Sequence, residues 1–125
     1  MLGSGSDPGS RTPAQAAGDD GEARATAYLA AQGLEILTRN YRTRLGEIDL
    51  VAREGELLVF IEVRSRAASR FGGAIESVTP HKQRRIAAAA SLYLGRFATP
   101  PRCRFDVVAL DGAEVRWLRG AFECR

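Results

Sequence analysis

Gly46-Glu47-Ile48-Asp49-Leu50-Val51 and Leu58-Val59-Phe60-Ile61-Glu62-Val63-Arg64, separated by a turn signal at Glu54-Gly55, decide how this chain reads. β-Branched and large apolar residues fill both stretches, as they do in strands. Asp49 and Glu62 interrupt them where apolar side chains are expected. A carboxylate in a mostly buried strand is costly unless a partner compensates its charge. A divalent cation is a direct remedy, and two acids beside a basic residue read as a hydrolytic metal site.

A two-residue turn at Glu54-Gly55 would set Arg53 against Glu56. Asp49 then lies opposite Phe60, and Glu47 opposite Glu62. In that register Asp49 and Glu62 are diagonal neighbours on one face, with Cβ atoms roughly 7 Å apart. Carboxylate oxygens bind Mg²⁺ at about 2.1 Å, so one ion can bridge the pair. Arg64 follows Glu62 by two positions and returns to the same face. Glu47 reads as a rim residue or a third ligand. A competing reading makes Asp49 a structural carboxylate satisfied by Arg42 or Arg44.

The chain of 125 residues is long enough for one domain with a modest core, its hydrophobic fraction being 45%. No apolar run approaches the roughly 20 residues of a membrane helix. The stretch from Met1 to Gly21 lacks the basic start and apolar centre of a signal peptide. Rich in Gly, Ser, Pro, Asp and Ala, it reads as a disordered tail over residues 1–18, leaving one domain over 19–125. Cys103 and Cys124 have neither metal-ligand spacing nor a disulfide framework. Reduced thiols and a cytoplasmic location are expected.

The net charge of +3 is unevenly spread: Arg11 against Asp7, Asp19 and Asp20 leaves the first 21 residues at −2 and the remainder at +5. From Arg64 to Arg104 the only acid is Glu76, among nine basic residues. A basic segment directly after an acidic site suits a polyanionic substrate. It suits a solvated arginine-rich surface equally well.

Along the chain, Asp19 or Asp20 is expected to cap a first helix that runs to Gln32 and stops at Gly33. Glu22, Ala25, Thr26, Leu29 and Ala30 share one stripe of it. Leu34 to Arg42 reads as a strand, followed by the two acidic strands. Ser65 to Ser77, with Gly72-Gly73, reads as a loop able to meet a ligand. Thr79 caps a second helix with Pro80 at its first position, running to Arg96. Cys103 to Leu110 and Glu114 to Leu118 form a hairpin across Asp111-Gly112. Asp106 reads as a site residue or as a buried acid bonded to backbone or arginine. Trp117 and Phe122 belong to the core or to a subunit contact, which leaves room for a homodimer. His81 in the first turn of its helix is expected to be exposed or to touch phosphate. Helix, three strands, helix and two strands predict an α/β fold with a mixed central sheet flanked by helices.

The Asp, then Glu-x-Lys/Arg, arrangement on adjacent strands resembles the restriction-endonuclease-like nucleases with the signature PD-(D/E)xK. The chain as a whole is similar to the YraN-like family of bacterial proteins over residues 21 to 122. The matching stretches are Gly21-Glu22-Ala23, Ala27-Tyr28-Leu29, Asn40-Tyr41-Arg42, Gly46-Glu47-Ile48-Asp49-Leu50, Phe60-Ile61-Glu62-Val63-Arg64, Thr79-Pro80-His81-Lys82-Gln83-Arg84-Arg85-Ile86 and Arg104-Phe105-Asp106-Val107-Val108. The resemblance implies an endonuclease-like domain and a nuclease of the Holliday-junction-resolvase type. It implies that Asp49 and Glu62 hold Mg²⁺ or Mn²⁺, that Glu22 is an acid supplied by the first helix, and that Gln83 approaches the site from the second.

Arg64 stands where these nucleases carry lysine. Arginine supplies a planar fork for phosphate, but it remains protonated and cannot serve as a base. The leading expectation is a metal-dependent endonuclease for DNA, branched or structured DNA included. Glu22, Asp49 and Glu62 would hold the metal, and Arg64 and Gln83 would position water or phosphate. Arg66, Arg70, Lys82, Arg84 and Arg85 would grip flanking phosphates. The alternatives are a non-catalytic nucleic-acid-binding module and a protein-interaction domain that keeps the fold alone.

Overall fold

The computed structural model describes residues 13–65 and 77–123, with side chains from residue 21 onward. The expected tail falls largely outside these residues, as do Cys124, Arg66, Arg70 and most of the segment joining the third strand to the second helix. Helix α1 spans Pro13–Ala31, strand β1 Glu35–Arg42, β2 Glu47–Glu54 and β3 Leu57–Ser65. Helix α2 spans Pro80–Leu94, and β4 Cys103–Asp111 and β5 Glu114–Phe122 follow. The strands form one mixed sheet in the order β1-β2-β3-β4-β5. β3 and β4 run parallel and the other neighbours antiparallel.

α1 begins at Pro13, not at an Asp19 or Asp20 cap, so the expected boundary after residue 18 lies inside the helix. Proline is favourable at a first helical position, and alanines around it propagate the turn. Glu22 is consequently a mid-helix residue rather than a first-turn acid. The helix ends as expected: Gly33 adopts a φ of 100° and the Leu34 amide donates back to the Leu29 carbonyl. Such a left-handed residue is inexpensive only for glycine.

Each face of the sheet carries its own core. Leu58, Phe60, Phe105 and Val107 pack with Ile86, Ala89, Ala90 and Tyr93 of α2. Val59, Ile61, Val108 and Leu110 pack with Ala25 and Leu29 of α1. β3 is thus covered on both faces, which explains its near-continuous apolar sequence. Phe122 joins the α2-side core and Trp117 the α1-side core.

The β2–β3 register differs from the expected one. Glu54 pairs with Leu57, Arg53 with Leu58 and Leu50 with Ile61. Gly55-Glu56, not Glu54-Gly55, occupies the turn. Gly55 has a φ of 62°, and Gly112 repeats the arrangement after β4 with a φ of 59°. In both hairpins the glycine takes the first turn position, where positive φ suits it, and the preceding acid closes the strand.

Candidate functional site

The observed register moves the two strand acids together. Continuing the Leu50–Ile61 pairing by one step sets Asp49 directly against Glu62 rather than diagonal to it. The ladder opens here, because an Asp49 carboxylate oxygen accepts from the Val63 amide at 2.8 Å. Strand alternation turns Glu62 and Arg64, like Phe60, toward α2. Glu47, Asp49, Glu62, Val63, Arg64, Lys82, Arg85 and Ile86 line a cavity of about 370 Å³ between the strand ends and the start of α2.

Thr79 and Pro80 start α2 as the sequence predicts. The Thr79 hydroxyl accepts from the Lys82 amide at 3.2 Å, satisfying one of the orphan donors of a helix terminus. One helical turn then turns Lys82 and Arg85 toward the acids. Lys82 Nζ lies 3.9 Å from Glu62 Oε2, and Arg64 Nη1 donates to the same oxygen at 3.1 Å. Arg64 Nε donates to Ser77 Oγ at 2.9 Å, so its guanidinium is held at both ends.

Burial pushes the Asp49 carboxyl up to about 7, and the facing Glu62 charge adds to the effect. The Val63 hydrogen bond acts in the opposite direction. Ionising both acids in this pocket sets like charges against each other, which Arg64 and Lys82 beside Glu62 offset in part and a further cation would relieve. Glu47 is exposed on the rim, 3.7 Å from Arg42. Asp49 does not take the alternative pairing with Arg42 or Arg44; its hydrogen bonds run to Val63 and Glu62.

Two residues assigned through the family resemblance have polar partners of their own. Glu22 is buried in α1, where its Oε1 accepts from Asn40 Nδ2 at 2.7 Å and lies 3.5 Å from Arg39 Nη2. It does not line the Asp49–Glu62 cavity. Among the described residues, no three His, Cys, Asp or Glu side chains converge as a metal-binding group. Gln83 donates to the Val78 carbonyl at 3.0 Å. With Arg84 it lines a separate surface groove along α2, not the acidic cavity. The basic cluster therefore divides, with Lys82 and Arg85 on the acids and Arg84 on the groove.

Asn40, in a left-handed conformation with a φ of 56°, holds Glu22 through its side-chain amide. A single asparagine in that conformation leaves no local pattern beyond its own tolerance for it. Asp106 takes the structural alternative. Fully buried, it accepts a two-pronged ion pair from Arg104 and further bonds from Trp117 Nε1 and the Gly120 amide.

Comparison with known proteins follows the same residues. The profile of the uncharacterised protein family UPF0102 matches residues 21–110, which include Glu22, both strand acids and α2. A UPF0102 protein of Herminiimonas arsenicoxydans is 51% identical over 113 residues, covering 90% of this chain and 91% of that protein. One from Ralstonia pickettii is 55% identical over 112 residues, covering 86% and 90%. One from Alkalilimnicola ehrlichii is 50% identical over 117 residues, covering 92% and 93%. The chain belongs to the uncharacterised protein family UPF0102, the YraN family that its sequence resembles.

Proposed function

We propose that this protein is a metal-dependent endonuclease that hydrolyses phosphodiester bonds in DNA. The observation that carries the reading is the facing pair Asp49–Glu62, placed at strand ends in a cavity rimmed by Arg64, Lys82 and Arg85. The donor chemistry fits Mg²⁺ or Mn²⁺: two carboxylates, no sulfur, and an Asp49 proton held to about 7 by burial and by Glu62. Asp49 and Glu62 would hold the ion, and neither Glu22 nor Gln83 is needed for the pair to form. A bound divalent cation supplies Lewis-acid charge and a more acidic water.

The protein's own residues supply the rest. Arg64, pinned by Glu62 and Ser77, presents a fixed cation where charge develops on a phosphate. Lys82 and Arg85 draw the backbone toward the acids, and their positions on one helical turn match a strand passing over the start of α2. The Val63 amide keeps the Asp49 carboxylate oriented.

A second reading has its own support. Glu62 already has two cationic neighbours, Arg64 and Lys82, an arrangement that would also serve a module that binds nucleic acid without cutting it. Cleavage of linear, flapped and four-way DNA, with and without Mn²⁺, separates the two. Metal-dependent cutting that disappears in Asp49→Asn and Glu62→Gln supports the nuclease. Affinity without cutting supports the binding module, and metal-independent cutting that survives both substitutions overturns the mechanism.

A further inference from the structure

We infer that Leu45 is a wedge that packs against an unpaired base beside the scissile phosphate, so that the protein selects DNA whose stacking is already interrupted. The inference rests on the nuclease reading above and names the substrate class of that same site.

Leu45 is 49% exposed, at the tip of the short connection between β1 and β2. Single exposed leucines ordinarily require no explanation. This one differs in how it is held and in what surrounds it. The Thr43 hydroxyl accepts from the Leu45 and Gly46 amides at 3.0 Å each and donates to the Gly46 carbonyl at 2.8 Å. The Thr43 amide donates to the same carbonyl at 2.9 Å. Gly46 then lies against α2 so closely that a Cβ there would meet the Arg85 carbonyl oxygen at 2.2 Å. The turn is therefore fastened both internally and to the helix that forms one wall of the cavity. Its position is not free to average over solvent.

The surroundings fit nucleic acid. Arg42 and Arg44 flank the leucine and are exposed. Arg85, against whose backbone the turn rests, lines the acidic cavity, as does Glu47 two residues after Leu45. An apolar tip with exposed Arg42 and Arg44 beside it in the chain, on a turn that rests against a wall of the acidic cavity, matches a ligand with anionic edges and an apolar interior. Apolar side chains enter DNA by replacing a stacking contact, which costs least where pairing is already broken. A continuous duplex offers the arginines its phosphates but offers Leu45 no unstacked base face.

The test uses the whole chain without divalent cation, so that binding is read apart from cleavage. Two duplexes of one length are compared, one continuous and one with a single unpaired 2-aminopurine at a flap junction. The unaltered chain is expected to prefer the flapped duplex by about tenfold, equivalent to about 1.4 kcal/mol, with a change in 2-aminopurine fluorescence. Leu45→Ala is expected to lower that preference to about twofold or less and to remove the fluorescence change, while affinity for the continuous duplex, an electrostatic quantity, stays the same. Leu45→Phe is expected to retain or increase the preference. An equal preference in the unaltered chain and Leu45→Ala overturns the wedge and leaves the nuclease reading standing. So does a leucine variant that weakens both duplexes alike. Absence of any salt-dependent DNA binding by the unaltered chain overturns both.

Discussion

Asp49 concentrates the chemistry of the molecule in one side chain. Its folded carboxyl titrates near 7 against an ordinary value of 3.8, so the folded state binds a proton more tightly than the unfolded chain. The resulting stabilisation is fully present below about 3.8 and is lost as pH rises through 7. Without metal, Asp49→Asn, which cannot ionise, should therefore match the unaltered protein near pH 4 and exceed its stability at pH 8. Each displaced unit corresponds to about 1.4 kcal/mol, and partial solvent screening trims the sum, so a gap of about 1–3 kcal/mol is expected in urea unfolding. Mn²⁺ should close that gap at pH 8 by stabilising only the unaltered protein. Equal metal responses in both would remove Asp49 from the ligand set. Arg64 poses the next question at this scale. Its Nε bond to Ser77 and Nη1 bond to Glu62 need a fork that lysine lacks. If Arg64 acts by clamping phosphate, Arg64→Lys should lower metal-dependent cleavage by about tenfold or more, the loss of one charge-assisted contact. A rise in cleavage would instead show that a deprotonatable amine is what the site lacks.

Among the elements, α2 divides its basic residues between two surfaces. Lys82 and Arg85 border the acids, while Arg84 borders the groove on the other side. Neutralising Lys82 and Arg85 together should flatten the logarithmic salt dependence of DNA binding by about two units. Neutralising Arg84 alone should change it by much less. A larger change from Arg84 would mean that DNA lies along the groove instead. The β1–β2 turn is the second element with a clear consequence. Gly46→Ala places a Cβ 2.2 Å from the Arg85 carbonyl oxygen, and backbone stands on both sides of that contact. Overpacking of this kind costs about 1–3 kcal/mol. The melting temperature should fall by several degrees, and relief of the clash would move Glu47 and Asp49 away from α2. Retained melting temperature would show that the turn is not fastened to the helix.

For the molecule as a whole, Asp106 ties the sheet together beyond its ladders. Arg104 reaches from Asp106 to Glu54 at 3.2 Å, joining β4 to the end of β2. Trp117 and Gly120 bring in β5, and the φ of 61° at Gly120 accompanies the register shift between Phe105 and Val107. Removing one partner of a buried pair strands the other, at about 3–5 kcal/mol. Asp106→Ala should accordingly lower the urea midpoint strongly, with no selective effect on metal binding. A small loss of stability would show that Arg104 and Trp117 find other partners. Burial is two-sided: α1 and α2 cover opposite faces, and the polar cavity opens at the start of α2, where Ile86 of the α2-side core forms part of its wall.

Much of this was legible in the chain. Alternation and β-branched content marked the strands, Thr79-Pro80 marked the start of α2, and the cost of burying carboxylates singled out Asp49 and Glu62. These signals depend on near neighbours, which the sequence contains. Membership of the UPF0102 family also followed from residues alone, as did the α/β class with helices around a mixed sheet. The register did not, because Glu54-Gly55 and Gly55-Glu56 are equally plausible turns until the two cores decide which side chains each face must bury. That shift of two residues converts a diagonal Asp49–Glu62 pair into a directly opposed one, so that the Glu62 charge adds to the burial that raises the Asp49 carboxyl. The positions of Glu22 and Gln83 likewise awaited the fold: Asn40 and the Val78 carbonyl, distant or unmarked in sequence, claimed their polar atoms first. The same holds for Asp106, whose partners come from two strands. Sequence reveals which residues are costly to bury, and only long-range packing determines who meets that cost.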